Sequence, residues 1–470
     1  MKTRDLVKLG IPAGRCTDAA QRLLQATQTS KGSTRAVLDD LRRLAEAPEA
    51  FLTHDRYRDL AQALIDTRAA GRRYRPRDVD APYRIWGEGL EPDAVRQMTN
   101  ACRLPVAAAG ALMPDAHVGY GLPIGGVLAT HDAVIPYAVG VDIACRMKMT
   151  VLDLPLETLA GGQDRLTKVI ERETRFGVGG TFKTRRQHAV MDADWRVTPL
   201  TTQLKDRAWA QLGTSGSGNH FVEFGRLTVL DDAVGLPRGE YLALLSHSGS
   251  RGTGAQIAQH YSRLAKQAHP ELPQELSHLA WLDLSSEAGQ EYWAAMELMG
   301  RYAAANHALI HAHVARALGV EVRLDLENHH NFAWRERHVL PDGTEADVIV
   351  HRKGATPAGA GVLGIIPGSM GAPGYVVRGR GSAAALSSAA HGAGRRMSRT
   401  RAKQEFSWPE AQALLRERGV TLISAGLDEV PMAYKDIDEV MAAQRDLVEP
   451  LARFDPRLVK MAPGGEPPED

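Results

Sequence analysis

The stretch Tyr241-Leu242-Ala243-Leu244-Leu245-Ser246-His247-Ser248-Gly249-Ser250-Arg251-Gly252 is a short apolar run that stops in a loop of Ser, His, Gly and Arg. Five apolar residues bounded by turn formers read as a buried strand, because a helix would need ten or more. Other short β-branched or apolar stretches end in loops likewise, residues 322–326 before Asn328-His329-His330-Asn331 and residues 348–350 before His351-Arg352-Lys353-Gly354. A long helix is predicted over residues 291–318, with Trp293, Met296, Met299, Tyr302, Leu309, Ile310 and Val314 on its apolar side. Strands and helices mix without a regular βαβ rhythm, so the expected class is α+β.

Toward the N-terminus the texture changes. Val37, Leu38, Leu41 and Leu44 repeat at helical spacing after the cap-forming Gly32-Ser33-Thr34, and Tyr57, Leu60, Leu64 and Ile65 form a second such stretch. Around Pro76 and Pro82 the chain reads as a linker. The expected organisation is a helical, basic appendage over 1–80, a main domain over 83–461 and a flexible tail over 462–470. Residues 1–80 carry 16 Lys/Arg against 11 Asp/Glu, whereas the remainder carries 41 against 45. The run Arg72-Arg73-Tyr74-Arg75-Pro76-Arg77 suits a phosphate backbone, but a run this short reads more readily as a solvated linker.

Across all 470 residues, 57 Lys/Arg nearly balance 56 Asp/Glu, and a hydrophobic fraction of 44% can bury a real core. No apolar run approaches the roughly 20 residues of a membrane-spanning helix, so no membrane partner is expected. Met1-Lys2-Thr3-Arg4-Asp5 lacks the apolar segment of a secretion signal. Three cysteines, Cys16, Cys102 and Cys145, make no disulfide framework and point to a cytoplasmic setting.

Chemistry gathers in the loops. Asp142-Ile143-Ala144-Cys145 follows an apolar segment, His220 closes a Gly/Ser-rich run, and His247, His330 and His391 each stand at the edge of such a loop. One thiolate, one carboxylate and several imidazoles carried on strand ends can converge on one or two divalent ions. Any single histidine among the 17 is more often structural, and softness alone would favour zinc. The loops Ser248-Gly249-Ser250-Arg251, Ile366-Pro367-Gly368-Ser369-Met370-Gly371 and His391-Gly392-Ala393-Gly394-Arg395 combine backbone N–H groups, hydroxyls and arginines, an inventory suited to phosphate. Neither a G-x-x-x-x-G-K-[ST] loop nor a G-x-G-x-x-G opening a βαβ unit is present, so a nucleotide pocket must be of another kind. Ser387, Ser388 and His391 lack the G-x-S-x-G elbow of a serine hydrolase. A Cys145 nucleophile would leave the other histidine loops unexplained.

Taken together, Met113-Pro114-Asp115-Ala116-His117-Val118-Gly119, Gly140-Val141-Asp142-Ile143-Ala144-Cys145, Gly218-Asn219-His220-Phe221-Val222-Glu223 and the His247 loop resemble the RtcB family of RNA ligases. His330-Asn331, His351-Arg352-Lys353-Gly354-Ala355-Thr356 and the loops at 366–371 and 391–395 extend the resemblance in order, over about four-fifths of the chain. It implies an RtcB-like fold of mixed sheets around a metal and guanylate cleft. It also implies a GTP- and Mn(II)-dependent ligase that joins RNA 3′-phosphate or 2′,3′-cyclic phosphate ends to 5′-hydroxyl ends, in RNA repair or tRNA splicing, with an archease-type activator as a possible partner class.

By motif, the resemblance makes Asp142, Cys145, His220, His247 and His330 ligands of two Mn(II) ions and His391 the nucleophile that takes GMP. Asn219, Glu223, Asn331, Ser369, Ala393, Gly394 and Lys460 fall at guanylate positions, and Arg251, Lys353, Arg395 and Arg399 at phosphate or RNA positions. The sequence departs from the pattern at Arg146, where glycine is usual, at Ser215 and Ser217 around Gly216, and at Gly374, where serine is common. Lys460 stands ten residues before the end, and His329 beside His330 leaves two candidate ligands, of which the His-Asn pairing favours His330. Arg146 beside the metals would favour an end-capping guanylyltransferase or a phosphodiesterase that does not seal. A non-catalytic RNA-binding relative would not need His391 and all five ligands.

Overall fold

The computed structural model describes residues 3–12, 15–29, 34–70, 74–340 and 343–466. The Gly32-Ser33 cap, Arg72 and Arg73 of the basic run, and residues 467–470 of the tail lie outside the described residues.

The architecture is α+β, built on two main sheets. One orders its strands Tyr83–Ile85, Ala107–His117, Ile124–Thr130, Glu345–Lys353 and Asn331–Val339. The other runs Leu363–Ile366, Gly374–Gly379, Val448–Met461, Phe221–Val229, Gly239–Ser248, Arg146–Leu152 and Val322–His329, with Thr421–Ser424 alongside Val448–Met461. Its two end strands nearly meet, so the sheet curls into an almost closed barrel. Asn328 ties the seam: its Oδ1 accepts from the Ile365 N–H at 2.9 Å and its Nδ2 donates to the Ile365 carbonyl at 3.3 Å.

Both faces of the barrel wall are covered, which is why residues 241–245 are apolar without a break. Ala243 and Leu245 point inward with Met147, Met149, Ile365, Val376 and Phe454. Leu242 and Leu244 point outward, against Ile310, Val314 and Leu318. Those three belong to the helix Glu287–Leu318, which starts four residues earlier than its apolar pattern suggested. The Ser286 hydroxyl accepts from the Gly289 N–H and begins the helix, and Gly319 ends it in the left-handed conformation. Helices Thr3–Lys8, Arg15–Thr29, Thr34–Glu46 and Arg58–Ala70 share a core of their own, centred on Leu6, Ile11, Leu41, Leu44, Tyr57, Leu60 and Leu64. None of the described helices is long and apolar enough to cross a membrane.

One feature of the chain path places the site. Residues 322–326 were expected to end in a loop, but the extended backbone runs on to His329, breaks only at His330, and resumes at Asn331. The first half pairs with Arg146–Leu152 in the barrel and the second with Glu345–Lys353 in the other sheet. His330 is thus the residue at which one strand changes sheets.

Several histidines serve the fold itself. His351 is fully buried; its Nδ1–H donates to the Leu128 carbonyl at 3.1 Å and its Nε2 accepts from the Ile135 N–H at 2.9 Å. Burial pushes its pKa down to about 4 against the opposing pull of its backbone hydrogen bonds. Burial likewise holds His307 and His311 neutral. Below pH 6.5 the unfolded chain therefore binds protons that the native state refuses, so stability is full above that pH and falls as pH drops toward 4. For His351 alone the loss amounts to about 3 kcal/mol over that interval. Urea denaturation is expected to show a lower midpoint at pH 5.0 than at pH 7.5; equal midpoints would contradict this.

Candidate metal and nucleotide centre

Strand register explains how distant loops meet. Met147 and Phe221 both pair with His247, while Arg146 pairs with Ser248 on one side and His329 on the other. Cys145, His220, His247 and His330 each lie within one residue of this line, at one rim of the barrel. Asp142 is drawn in from the preceding loop, where its Oδ1 accepts from the Ser250 N–H at 2.9 Å. Gly249 permits that approach, because a Cβ there would lie 2.1 Å from the Asp142 carboxylate.

The donor atoms form a chain of short steps. Asp142 Oδ2 lies 3.0 Å from His220 Nε2, which is 3.4 Å from Cys145 Sγ. Cys145 Sγ lies 3.1 Å from His247 Nε2, which is 3.1 Å from His330 Nε2. Two groups of three result, Asp142/Cys145/His220 and Cys145/His247/His330, sharing the sulfur. Divalent ions hold N and O donors at roughly 2.0–2.2 Å and sulfur at about 2.3 Å, which places neighbouring donors about 3 Å apart. All five side chains are buried, and among the described residues His330 Nδ1 has no hydrogen-bond partner. These residues fit a pair of divalent cations.

Electrostatics agree with that fit. Burial pushes the His247 pKa down to about 3, and burial also holds His330 well below its usual range, so both present lone pairs. His247 Nδ1 faces the Asn219 carbonyl at 3.2 Å, the second contact that orients a ligating imidazole. Burial alone would raise the Asp142 pKa, but the His220 contact and the Arg251 charge outweigh it and hold the carboxyl below its usual value. Arg251 NH1 donates to His220 Nδ1 at 3.3 Å, leaving the proton of the neutral ring on Nε2, toward Asp142. A cation there would displace that proton.

His391 stands beside this cluster, its ring centroid 4.9 Å from that of His330. It follows the strand Ser388–Ala390, and Asp115 on Ala107–His117 reaches it from the other sheet. Asp115 Oδ2 accepts from His391 Nδ1 at 2.7 Å and from the His391 backbone N–H at 3.1 Å. The fully buried carboxylate thereby holds the ring proton on Nδ1 and leaves the lone pair on Nε2. Asp115 lay inside a quoted motif without a role assigned to it; an aspartate ending an apolar run was the available signal.

A single cavity of about 680 Å³ is lined by Asp142, Cys145, His247, His330 and His391 together with Asn219, Glu223, Asn331, Ser369, Ala393, Gly394, Lys353, Arg395 and Arg399. Burial raises the Glu223 pKa well above the usual carboxyl range, and Asn219 Oδ1 is buried without a partner among the described residues. Asn331 accepts from the Gly354 N–H, at the left-handed turn where a Cβ would crowd Ile124 and His391. Lys353 donates to the Tyr120 carbonyl at 2.7 Å, and burial lowers its pKa to about 7. Arg395 and Arg399 meet the buried carboxylates of Asp428 and Glu429, which sequence reasoning did not single out.

Three predicted residues stand apart from the cavity lining. His220 lies behind Asp142 and Cys145. Arg251 lies behind His220, its guanidinium filling the space over Gly216, where a Cβ would come within 1.9 Å of it. Lys460 alternates onto the other face of its strand, 5.7 Å from the Phe176 ring centroid, while Val459 and Met461 face the cavity.

Two departures also find a place. Arg146 is buried away from the cavity, paired with Glu327 at 3.1 Å and donating to the Gly300 carbonyl, so it is no cation beside the metal ligands. His329 packs on Phe332 and Trp334, whereas His330 faces His247.

The sequence profile of the family described as "tRNA-splicing ligase RtcB" matches residues 97–198 and 192–461. The chain is 35% identical over 402 residues to the RNA-splicing ligase RtcB of Escherichia coli K12, covering 79% of this chain and 95% of that protein. It is 33% identical to the tRNA-splicing ligase RtcB of Nanoarchaeum equitans, covering 81% and 95%. With the RNA-splicing ligase RtcB of Mycobacterium tuberculosis the identity is 34%, covering 77% and 98%.

Since Cys145 is common to both donor groups, Cys145→Ala is expected to lower the stoichiometry of bound divalent metal, read by equilibrium dialysis and metal analysis. Undiminished binding in the folded variant would remove Cys145 from the ligand set.

Proposed function

Because the chain belongs to the RtcB family, we propose that it is an RNA ligase that uses GTP and Mn(II) to join 3′-phosphate or 2′,3′-cyclic phosphate ends to 5′-hydroxyl ends. The observation that carries the reading is the Asp115–His391 pair, set against the Cys145/His247/His330 cluster in one cavity. A hydrogen-bonded carboxylate and a free ring nitrogen beside a cation site are what a histidine nucleophile requires.

A 3′-phosphate is a poor electrophile because it has no good leaving group, so it must be activated. His391 Nε2 attacks the α-phosphorus of GTP, forming a P–N bond as the bond to pyrophosphate breaks, while Asp115 stabilises the charge that develops on the ring. The RNA 3′-phosphate oxygen then attacks the same phosphorus and releases His391, giving an end capped by GMP. Finally the 5′-hydroxyl attacks the 3′-phosphorus; the phosphodiester forms, GMP departs and the hydroxyl proton is lost. A cyclic phosphate first consumes one water to open to the 3′-phosphate. Mn(II) held by Asp142, Cys145, His220, His247 and His330 supplies Lewis-acid neutralisation of phosphoryl oxygens.

The other residues bind and orient. Glu223 and Asn219 offer buried oxygen acceptors to the N–H edge of guanine, whose donors would satisfy groups that burial has left wanting. Ser369, Ala393 and Gly394 contribute hydroxyl and backbone groups to the nucleotide, and Asn331 holds the Gly354 turn beside His391. Lys353, Arg395 and Arg399 bring N–H donors to the cavity for phosphate, with Asp428 and Glu429 holding the two guanidinium groups in place. The buried position of Arg146 offers no support for capping without sealing.

Incubation with α-labelled GTP and Mn(II), followed by RNA ends, tests the scheme. His391→Ala is expected to abolish labelled protein while retaining metal. Asp115→Asn, which loses the tautomer control, is expected to slow labelling by about 10²–10⁴-fold, as in comparable aspartate–histidine pairs. Normal labelling in either folded variant would overturn the assigned role, and label without sealed RNA would favour end capping.

A further inference from the structure

A second cavity, of about 580 Å³, adjoins the first and shares Ser369, Ala372, Arg396 and Tyr434 with it. Its walls carry five cations, Arg396, Arg418, Lys435, Arg453 and Arg457, against Asp436, Asp438 and Asp455. How these charges are answered differs from the first cavity. There, Arg395 and Arg399 pair with Asp428 or Glu429 and Arg401 pairs with Glu405, while Lys353 meets the Tyr120 carbonyl. Here, of the five, Arg453 alone has a carboxylate within ion-pair distance among the described residues, namely Asp455, which Arg226 also holds.

The other contacts leave positive charge intact. Arg418 donates to the Gly371 carbonyl at 3.0 Å and Arg457 to the Arg418 carbonyl at 2.8 Å. Lys435 turns inward to the Pro114 and Ala116 carbonyls. Carbonyl oxygens fix the direction of these side chains without neutralising them. Arg396 is exposed at the shared wall, and no described carboxylate lies within ion-pair distance of it. The acids are otherwise engaged: Asp436 caps the helix Ile437–Ala443, and Asp438 accepts from the Tyr375 hydroxyl. A polyanion leaving the reaction cavity meets its next unanswered charges at Arg396, then Arg418 and Arg457.

We propose that this trench binds the phosphodiester backbone of an RNA strand, some nucleotides away from the end being joined. The proposal rests on the ligase reading for its substrate, but its ligand chemistry, a string of phosphates, follows from the charges alone. A small polyphosphate such as pyrophosphate shares that chemistry, and length dependence separates the two.

Full-length, Mn(II)-loaded protein is titrated with fluorescent RNA single strands of two and ten nucleotides, and with pyrophosphate as competitor, over a range of NaCl concentrations. The Arg396→Ala/Arg457→Ala double variant is expected to bind the decanucleotide at least tenfold more weakly. Its salt slope should be shallower by about 1.4, corresponding to two lost phosphate contacts on a single strand. The dinucleotide should be little affected, and the Arg396→Lys/Arg457→Lys variant should retain affinity. Unchanged decanucleotide affinity and salt slope in the folded alanine variant would overturn the proposal, as would an equal loss for pyrophosphate. Wild-type protein that takes no label from GTP, combined with the expected loss in the variant, would sustain the trench while overturning the ligase reading.

Discussion

A single extended segment, residues 322–339, has to serve two sheets, and the exchange is made at His330. Because the strands on each side are locked by backbone ladders, His330 cannot slide or turn without loss of register in both. That constraint sets the rim of the barrel against the edge of the second sheet. Cys145, His220 and His247 come from the barrel side, whereas Asp115 comes from the second sheet. The space between them is where His391 stands against the cluster of candidate metal donors. Precision at the level that group transfer needs is supplied by strand ends, which move less than free loops.

The structure also shows how a chain so rich in histidine sorts its imidazoles. His351 accepts and donates to backbone and serves the fold; His329 is held among aromatic rings. His247 and His330 instead turn nitrogen atoms toward one another, and His247 also toward the Cys145 sulfur, a cluster of metal-binding atom types with no carbonyl or hydroxyl between them. A cation bound among these atoms would replace the protons they share, coupling metal binding to proton release.

Much of this was legible in the sequence, and the reasons are local. The uninterrupted run at 241–245 and the apolar stripe of the long helix follow from burial on known periods, and the α+β class from their mixture. The family was readable because its motifs fall in order. Convergence was not readable, because it depends on which strands are neighbours: no spacing shows that Phe221 and Met147 both pair with His247. Nor does a sequence show on which side a strand residue points. Arg146 adjoins Cys145 and Lys460 adjoins Val459, yet alternation turns both cations away from the cavity. Asp115, Asp428 and Glu429 escaped notice since an isolated carboxylate has no pattern until its partner is known.

The convergence of donors and nucleophile is tested most directly by crystals grown with Mn(II) and GTP, with anomalous scattering recorded at the manganese edge. The account predicts two peaks flanking Cys145 Sγ, one toward Asp142 and His220 and one toward His247 and His330, with the α-phosphorus of the nucleotide next to His391 Nε2. Manganese bound elsewhere, or nucleotide density remote from His391, would contradict it.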